Sequence, residues 1–234
     1  MNLIKDVWKD EDVEVFRQYL DHFKNVEKEA WARRILQTQL PLLALKTKTM
    51  DEIVRAIAKG NYTSFLDLRL EGSYEEIAIY GKLLTYIKDF EELKKYLEVY
   101  KELMENWAHC DLLNFHLIEP KDLLSLVDDC LYDKRVFVRR LGLFILFILL
   151  KEDEVLDMVF ERLLWLEEEN AYYVIMMSGW LLSEAIILYE ERSLDYLKTH
   201  PQLNKKIVNK AIQKCRESRR LSVDKKEMLK AYKR

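Results

Sequence analysis

Apolar residues recur at helical spacing along almost the whole of this chain, and very little interrupts them. Only 5 Gly and 3 Pro occur in 234 residues, so the tight turns that all-β folds need are scarce. Leu, Glu, Lys and Ala-type helix formers fill the intervals. The sequence therefore predicts an all-α fold. Half of the residues are hydrophobic, enough for a sizeable core.

Breaks divide the chain into helices. Helices are predicted over Asp12–Phe23, Val26–Gln37, Met50–Ala58 and Asn61–Asp67. Pairs follow: Tyr74–Ile87 with Phe90–Glu105, Trp107–Leu117 with Pro120–Leu131, and Arg135–Leu150 with Glu154–Glu167. Ala171–Tyr189 then pairs with Leu194–Lys198, and Leu203–Arg216 with Val223–Ala231. Pair starts recur at about 30 to 37 residues, the range of antiparallel helical repeats. Ser73 followed by Glu76 forms a capping box, Pro120 suits a first helical turn, Pro201 closes a helix near His200, and Ser222 N-caps the last helix. No low-complexity linker appears. One domain over residues 1–234 is expected, with 1–70 capping the first repeat and 73–234 forming paired helices.

Charge is unevenly placed. Residues 201–234 hold twelve Lys/Arg against Glu217, Asp224 and Glu227, a balance of +9, which leaves −12 for the rest of a chain whose net charge is −3. A cationic surface on an acidic body suits an anionic polymer, though a solvated terminal helix pair has the same composition. Cys110, Cys130 and Cys215 show neither metal-ligand nor disulfide spacing, which fits a reducing cytoplasm. Met1 leads into a charged amphipathic segment, unlike a signal peptide, and the longest apolar run, Leu141 to Leu150, is about half a membrane span. The four histidines form no zinc set, and there is no phosphate-cradling Gly-rich loop, Ser elbow or paired-carboxylate signature, so hydrolase and kinase readings are disfavoured. No cofactor is expected.

Three segments carry unusual chemistry. Trp107, Cys110, Asp111 and Asn114 fall at i, i+3, i+4 and i+7, one face of the predicted helix, which reads as a binding surface or as a hydrogen-bonded core network. Arg139 and Arg140 open the most apolar helix and need partners: a phosphate, or an acid such as Asp111 or Glu76. Trp180 follows Gly179, whose missing side chain would let a ligand approach, although a core Trp is the plainer outcome. The first helix of each pair is the richer in such residues and is assigned to the concave side of a repeat array. The more acidic second helices are assigned to the convex side.

These segments resemble the DNA alkylation repair family, the HEAT-like-repeat DNA glycosylases of the AlkD type. The resemblance spans nearly the whole chain and is carried by Leu40-Pro41-Leu42-Leu43-Ala44-Leu45-Lys46-Thr47, Asn106-Trp107-Ala108-His109-Cys110-Asp111 and Phe137-Val138-Arg139-Arg140-Leu141-Gly142. Tyr172-Tyr173-Val174 running to Trp180, and Asn209 through Ser218, complete it. It implies a single C-shaped right-handed solenoid of antiparallel HEAT-like repeats, monomeric, with duplex DNA in the concave cleft. It also implies excision of N3- and N7-alkylated purines without flipping them into a pocket. Its active members carry Trp-Asp-x-x-Asp, an Arg on the next inner helix and a Trp on the one after. By position Arg140, or failing it Arg139, resembles that Arg, and Trp180 that Trp.

The first motif departs from the pattern: here it reads Cys110-Asp111-Leu112-Leu113-Asn114. A carboxylate about 4 Å from a developing sugar cation is worth about 4 kcal/mol at an effective dielectric of 20. An amide supplies only a dipole, and losing the aromatic removes about 0.5 to 2 kcal/mol of cation–π attraction. Asp111, Asn114 and Arg140 are thus the catalytic candidates by resemblance. Trp107, Cys110, Arg139, Arg140, Trp180, Lys205, Lys206, Lys210, Lys214, Arg219 and Arg220 are the DNA-binding candidates. The expected function is recognition of damaged duplex DNA with weakened excision. A catalytically silent DNA-structure binder is the alternative, and a protein-binding solenoid a third, disfavoured by the basic tail.

Overall fold

The structure, a computed structural model, describes residues 1–152 and 154–234. Every regular element among them is helical, as the periodicity predicts. The chain gathers into two compact units, Met1–Asp122 and Leu123–Arg234.

The first unit opens with α1 (Glu11–Asp21), α2 (Val26–Leu36), α3 (Thr47–Ile57) and α4 (Tyr62–Asp67). Trp8, Phe16 and Phe65 meet edge to face at centroid distances of 5.0 to 5.7 Å and pin α1 to α4. The centre of this unit is α5 (Tyr74–Leu84), buried on nearly every side, against which α3, α6 (Phe90–Leu103) and α7 (Trp107–Asp111) pack. Gly81 lets α5 and α6 approach, because a β-carbon there would collide with the Tyr100 hydroxyl. Ser73 caps α5 by accepting from the Glu76 N–H at 3.2 Å. The predicted capping box is only half made: the Glu76 carboxylate turns to the Gly72 N–H at 2.6 Å and to Arg17 at 2.8 Å.

Two predicted helices of this region are shorter than the periodicity suggests. The Trp107 helix stops at Asp111 instead of reaching Leu117. Beyond it Leu113 and Phe115 are buried while Asn114 and His116 are exposed, an alternation of period two that a helix cannot satisfy. The Pro120–Leu131 helix breaks at a Ser125–Leu126 turn into α8 (Pro120–Leu124) and α9 (Val127–Tyr132).

The second unit is built on α10 (Val136–Leu149) and α12 (Tyr172–Leu188), with α9 and α11 (Val155–Leu164) against them. Next come α13 (Glu190–Thr199), longer at its start than predicted, and α14 (Lys205–Glu217). The chain closes with α15 (Val223–Met228) and a 3₁₀ turn, Leu229–Tyr232. Ser222 caps α15 as expected, accepting from the Lys225 N–H at 3.3 Å. The most intimate helix contact of the unit is between α12 and α14. No helix among the described residues is long and apolar enough to cross a membrane.

Candidate nucleic-acid interface

In the first unit, α7 is set by Asn106, whose side-chain Oδ1 accepts from the Ala108 and His109 N–H groups at 2.8 and 3.3 Å. This cap turns Cys110 inward. Its thiol lies 3.8 Å from the Met104 sulfur and is fully buried, so Cys110 offers no surface to DNA, contrary to the expectation from helix spacing. Trp107 is half-buried, and its indole N–H donates to the Ile35 carbonyl at 3.2 Å, tying α7 to the end of α2. Asp111 is half-buried on the last turn. Asn114 does not share that face, because the helix has ended. It is exposed and borders a polar cavity of about 330 Å³ with Arg55, Lys82 and Tyr86. An ion pair between Lys82 and Asp51 at 2.8 Å spans this cavity's wall.

His109 occupies the position between Trp107 and Cys110 and is buried. Its Nε2 meets the Tyr74 carbonyl at 3.2 Å, its Nδ1 faces the Glu105 N–H at 3.4 Å, and its ring stacks on Tyr74 at 4.8 Å. Burial holds its pKa down to about 4, so the ring is neutral and structural. Among the described residues no cluster of His, Cys, Asp or Glu could hold a metal ion.

In the second unit, the two arginines of α10 differ. Arg139 forms a bidentate pair with Glu169 at 2.9 and 3.3 Å and donates to the Asp133 and Lys134 carbonyls at 3.1 and 3.0 Å. It staples the start of α10 to the loop before α12, so an anion seeking this guanidinium meets donors already engaged. Arg140 is only 5 % exposed and donates to the Tyr173 carbonyl at 3.0 Å. The exposed groove guanidinium expected at this position is therefore absent: Arg140 orients the first turn of α12 from beneath.

What that turn presents is aromatic. Tyr172 is exposed, and Phe137 packs on Tyr173 at 5.2 Å. One face of α12 continues through Met176 to Trp180, which is 37 % exposed and rests on Phe147 at 4.5 Å. Trp180 is thus neither a core residue nor a loose one, but a supported aromatic surface. The sequence marks Trp180 as a candidate site residue, places Tyr172 and Tyr173 only within the stretch that carries the resemblance, and leaves Phe147 out of the candidates. The spacing of Tyr173, Met176 and Trp180 at i, i+3 and i+7 was the available signal.

Gly179 also plays a different part from the one expected. A β-carbon there would lie 2.5 to 2.7 Å from the Lys210 stem, so the glycine admits α14 and not a ligand. Its effect is to let the Lys210 stem pack directly on α12. Lys210 then donates to Gln213 at 2.8 Å. Of the other basic candidates, Lys206 is exposed and bonded to Asn170 at 2.8 Å, while Lys205 and Arg219 are exposed with no ion pair among the described residues. Lys214 lies 3.7 Å from Glu217, and Arg220 is held by Glu184 at 2.5 to 2.6 Å. The cationic tail is therefore partly neutralised locally, and the start of α14 is its freest part.

No curated protein and no solved structure matches this chain. The family model described as DNA alkylation repair enzyme matches residues 16–215, which reach into both compact units and take in every helix from α2 through α13. That match covers well over half the sequence, and the chain belongs to the DNA alkylation repair enzyme family.

Proposed function

We propose that this protein binds duplex DNA in alkylation repair, with its successive helix pairs acting as HEAT-like repeats, and that it excises alkylated purines slowly. The observation that carries this reading is in the second unit: Trp180 is exposed and supported by Phe147, its neighbour Gly179 packs against Lys210 of α14, and the start of α14 carries the exposed Lys205 and Lys206. Cations there suit phosphates, and a supported indole suits a sugar or base face. Arg140 enters as the residue that positions Tyr173, and Arg139 as a structural staple.

The alternative, a DNA-structure binder without excision, is favoured by a separate observation. Asp111 ends α7, the Asn114 amide falls outside the helix and Cys110 is buried, so the three do not form one face. Electrostatic stabilisation of a sugar cation depends on charge held in place before the reaction. The decisive measurement is single-turnover release of 7-methylguanine from methylated duplex by the parent and by Asn114→Asp. Slow release by the parent is the expected result, and a tenfold rise in the variant would show that residue 114 reaches the reacting sugar although it lies beyond the end of α7. Release by neither protein, with duplex binding intact, replaces excision with the binder reading.

A further inference from the structure

Away from the features already described, the first unit holds a cavity of about 410 Å³ between α2, the 40–47 loop and the first turns of α3 and α5. Its size falls in the range of small-ligand pockets. Its walls are apolar and aromatic, including Trp31, Ile35, Met50 and Tyr74. Trp31 is 57 % exposed, although it belongs to an ordered, N-capped helix, and α2 buries none of its residues. A helix normally docks its large apolar side chains, so an ordered helix offering an indole to a cavity is a wall awaiting contents.

The polar groups of this cavity are arranged, not scattered. Glu75 lies at its inner side, 1 % exposed, and its two oxygens accept from the Leu43 and Leu45 N–H groups at 3.1 and 3.3 Å. Between those two donors sits Ala44 with φ 53°, a left-handed conformation unfavourable for a residue with a β-carbon. The strain is thus coupled to holding a buried carboxylate in one orientation. Each carboxylate oxygen has a second acceptor direction, so the group can still take a donor from the cavity. At the other edge stand the ammonium groups of Lys28 and Lys46, both exposed and in no ion pair among the described residues.

We propose that this cavity binds a nucleoside monophosphate, with its base against Trp31, a base N–H directed at Glu75 and its phosphate between Lys28 and Lys46. The three requirements are independent. A flat apolar face matches the indole. A base N–H suits Glu75, whose oxygens are held by backbone N–H groups and offer only acceptor directions to the cavity. An anion is needed because two lysines lack partners. A fatty acid meets the first and third but brings no donor for Glu75. This site goes beyond the duplex-binding reading and shares none of the residues on which that reading rests.

The test is calorimetric titration of the full chain with dGMP, dAMP, deoxyguanosine, inorganic phosphate and a long-chain fatty acid. Both mononucleotides are expected to bind, deoxyguanosine at least fivefold more weakly, and phosphate alone not detectably. Trp31→Ala is expected to weaken dGMP at least tenfold. Lys28→Ala with Lys46→Ala is expected to bring dGMP down to the affinity of deoxyguanosine while leaving deoxyguanosine unchanged. These side chains are exposed, so melting temperature should hold, and duplex affinity measured in parallel should not change. Absence of mononucleotide binding at millimolar concentration overturns the proposal. So does indifference to Trp31→Ala, phosphate binding as tight as dGMP, or a fatty acid binding more tightly than either nucleotide. Failure of duplex binding alone bears only on the function proposed above.

Discussion

His109 and Arg140 carry the plainest consequences at the scale of single residues. The neutral His109 ring, held near pKa 4 by burial, takes up its proton less readily than the same residue in the unfolded chain, near 6.5. Between those values the unfolded state binds more protons, so stability present at pH 7 falls as pH falls. Denaturant titrations should show the parent losing about 2 kcal/mol relative to His109→Gln between pH 7 and pH 5. Glu75, whose raised pKa acts in the opposite sense, is common to both proteins and cancels from the difference. Arg140→Ala removes a buried charged donor from the half-buried Tyr173 carbonyl. It is expected to cost about 1.5 to 3 kcal/mol of stability, read from the urea midpoint. Unchanged stability with weakened duplex binding would return this guanidinium to the DNA surface. Neither outcome was legible in the sequence: Arg140 was marked there by position and His109 appeared only within a motif, but burial is a property of what surrounds a residue.

Among the elements, the pairing of α12 with α14 decides what the second unit presents. Gly179→Ala gains helix propensity of about 1 kcal/mol, yet its new methyl would meet the Lys210 stem at 2.5 to 2.7 Å. Overpacking of that kind costs about 1 to 3 kcal/mol, and the balance should lie on the destabilising side. A lowered melting temperature, together with solvent exchange of the α14 amides, checks it. An unchanged or raised melting temperature would mean that Lys210 swings aside freely. Most helix ends were readable because capping residues announce them: Ser73, Ser222 and Pro120 all act where they were read. The end of α7 was not. Trp107 to Leu117 fits a helical stripe as well as it fits a short helix followed by alternation, and only the insertion of Leu113 and Phe115 into the core selects the second.

For the whole molecule, binding through phosphates should be governed by counterion release. With about five phosphate contacts, duplex affinity should drop roughly 10²- to 10³-fold between about 50 and 200 mM salt. Fluorescence anisotropy with a labelled duplex reads this directly, and Lys205→Ala with Lys206→Ala should lower the slope by about two charges. A flat salt response would discard the phosphate reading. The excess of +9 over residues 201–234 overstates the field available, since Glu184 and Glu190, outside that segment, each hold one of its cations.

The sequence by itself determined the helical class, most helix limits and the family, because periodicity, capping and motif order are local properties written in consecutive residues. Tertiary structure alone decided which of the marked side chains meet solvent. It buried Cys110 and Arg140, spent Arg139 on Glu169, gave Gly179 to Lys210, and left Trp180 and Trp31 exposed. A stripe of residues on one helix face records spacing only. Which face is covered depends on helices that arrive from elsewhere in the chain, and their distances are not encoded at the site itself.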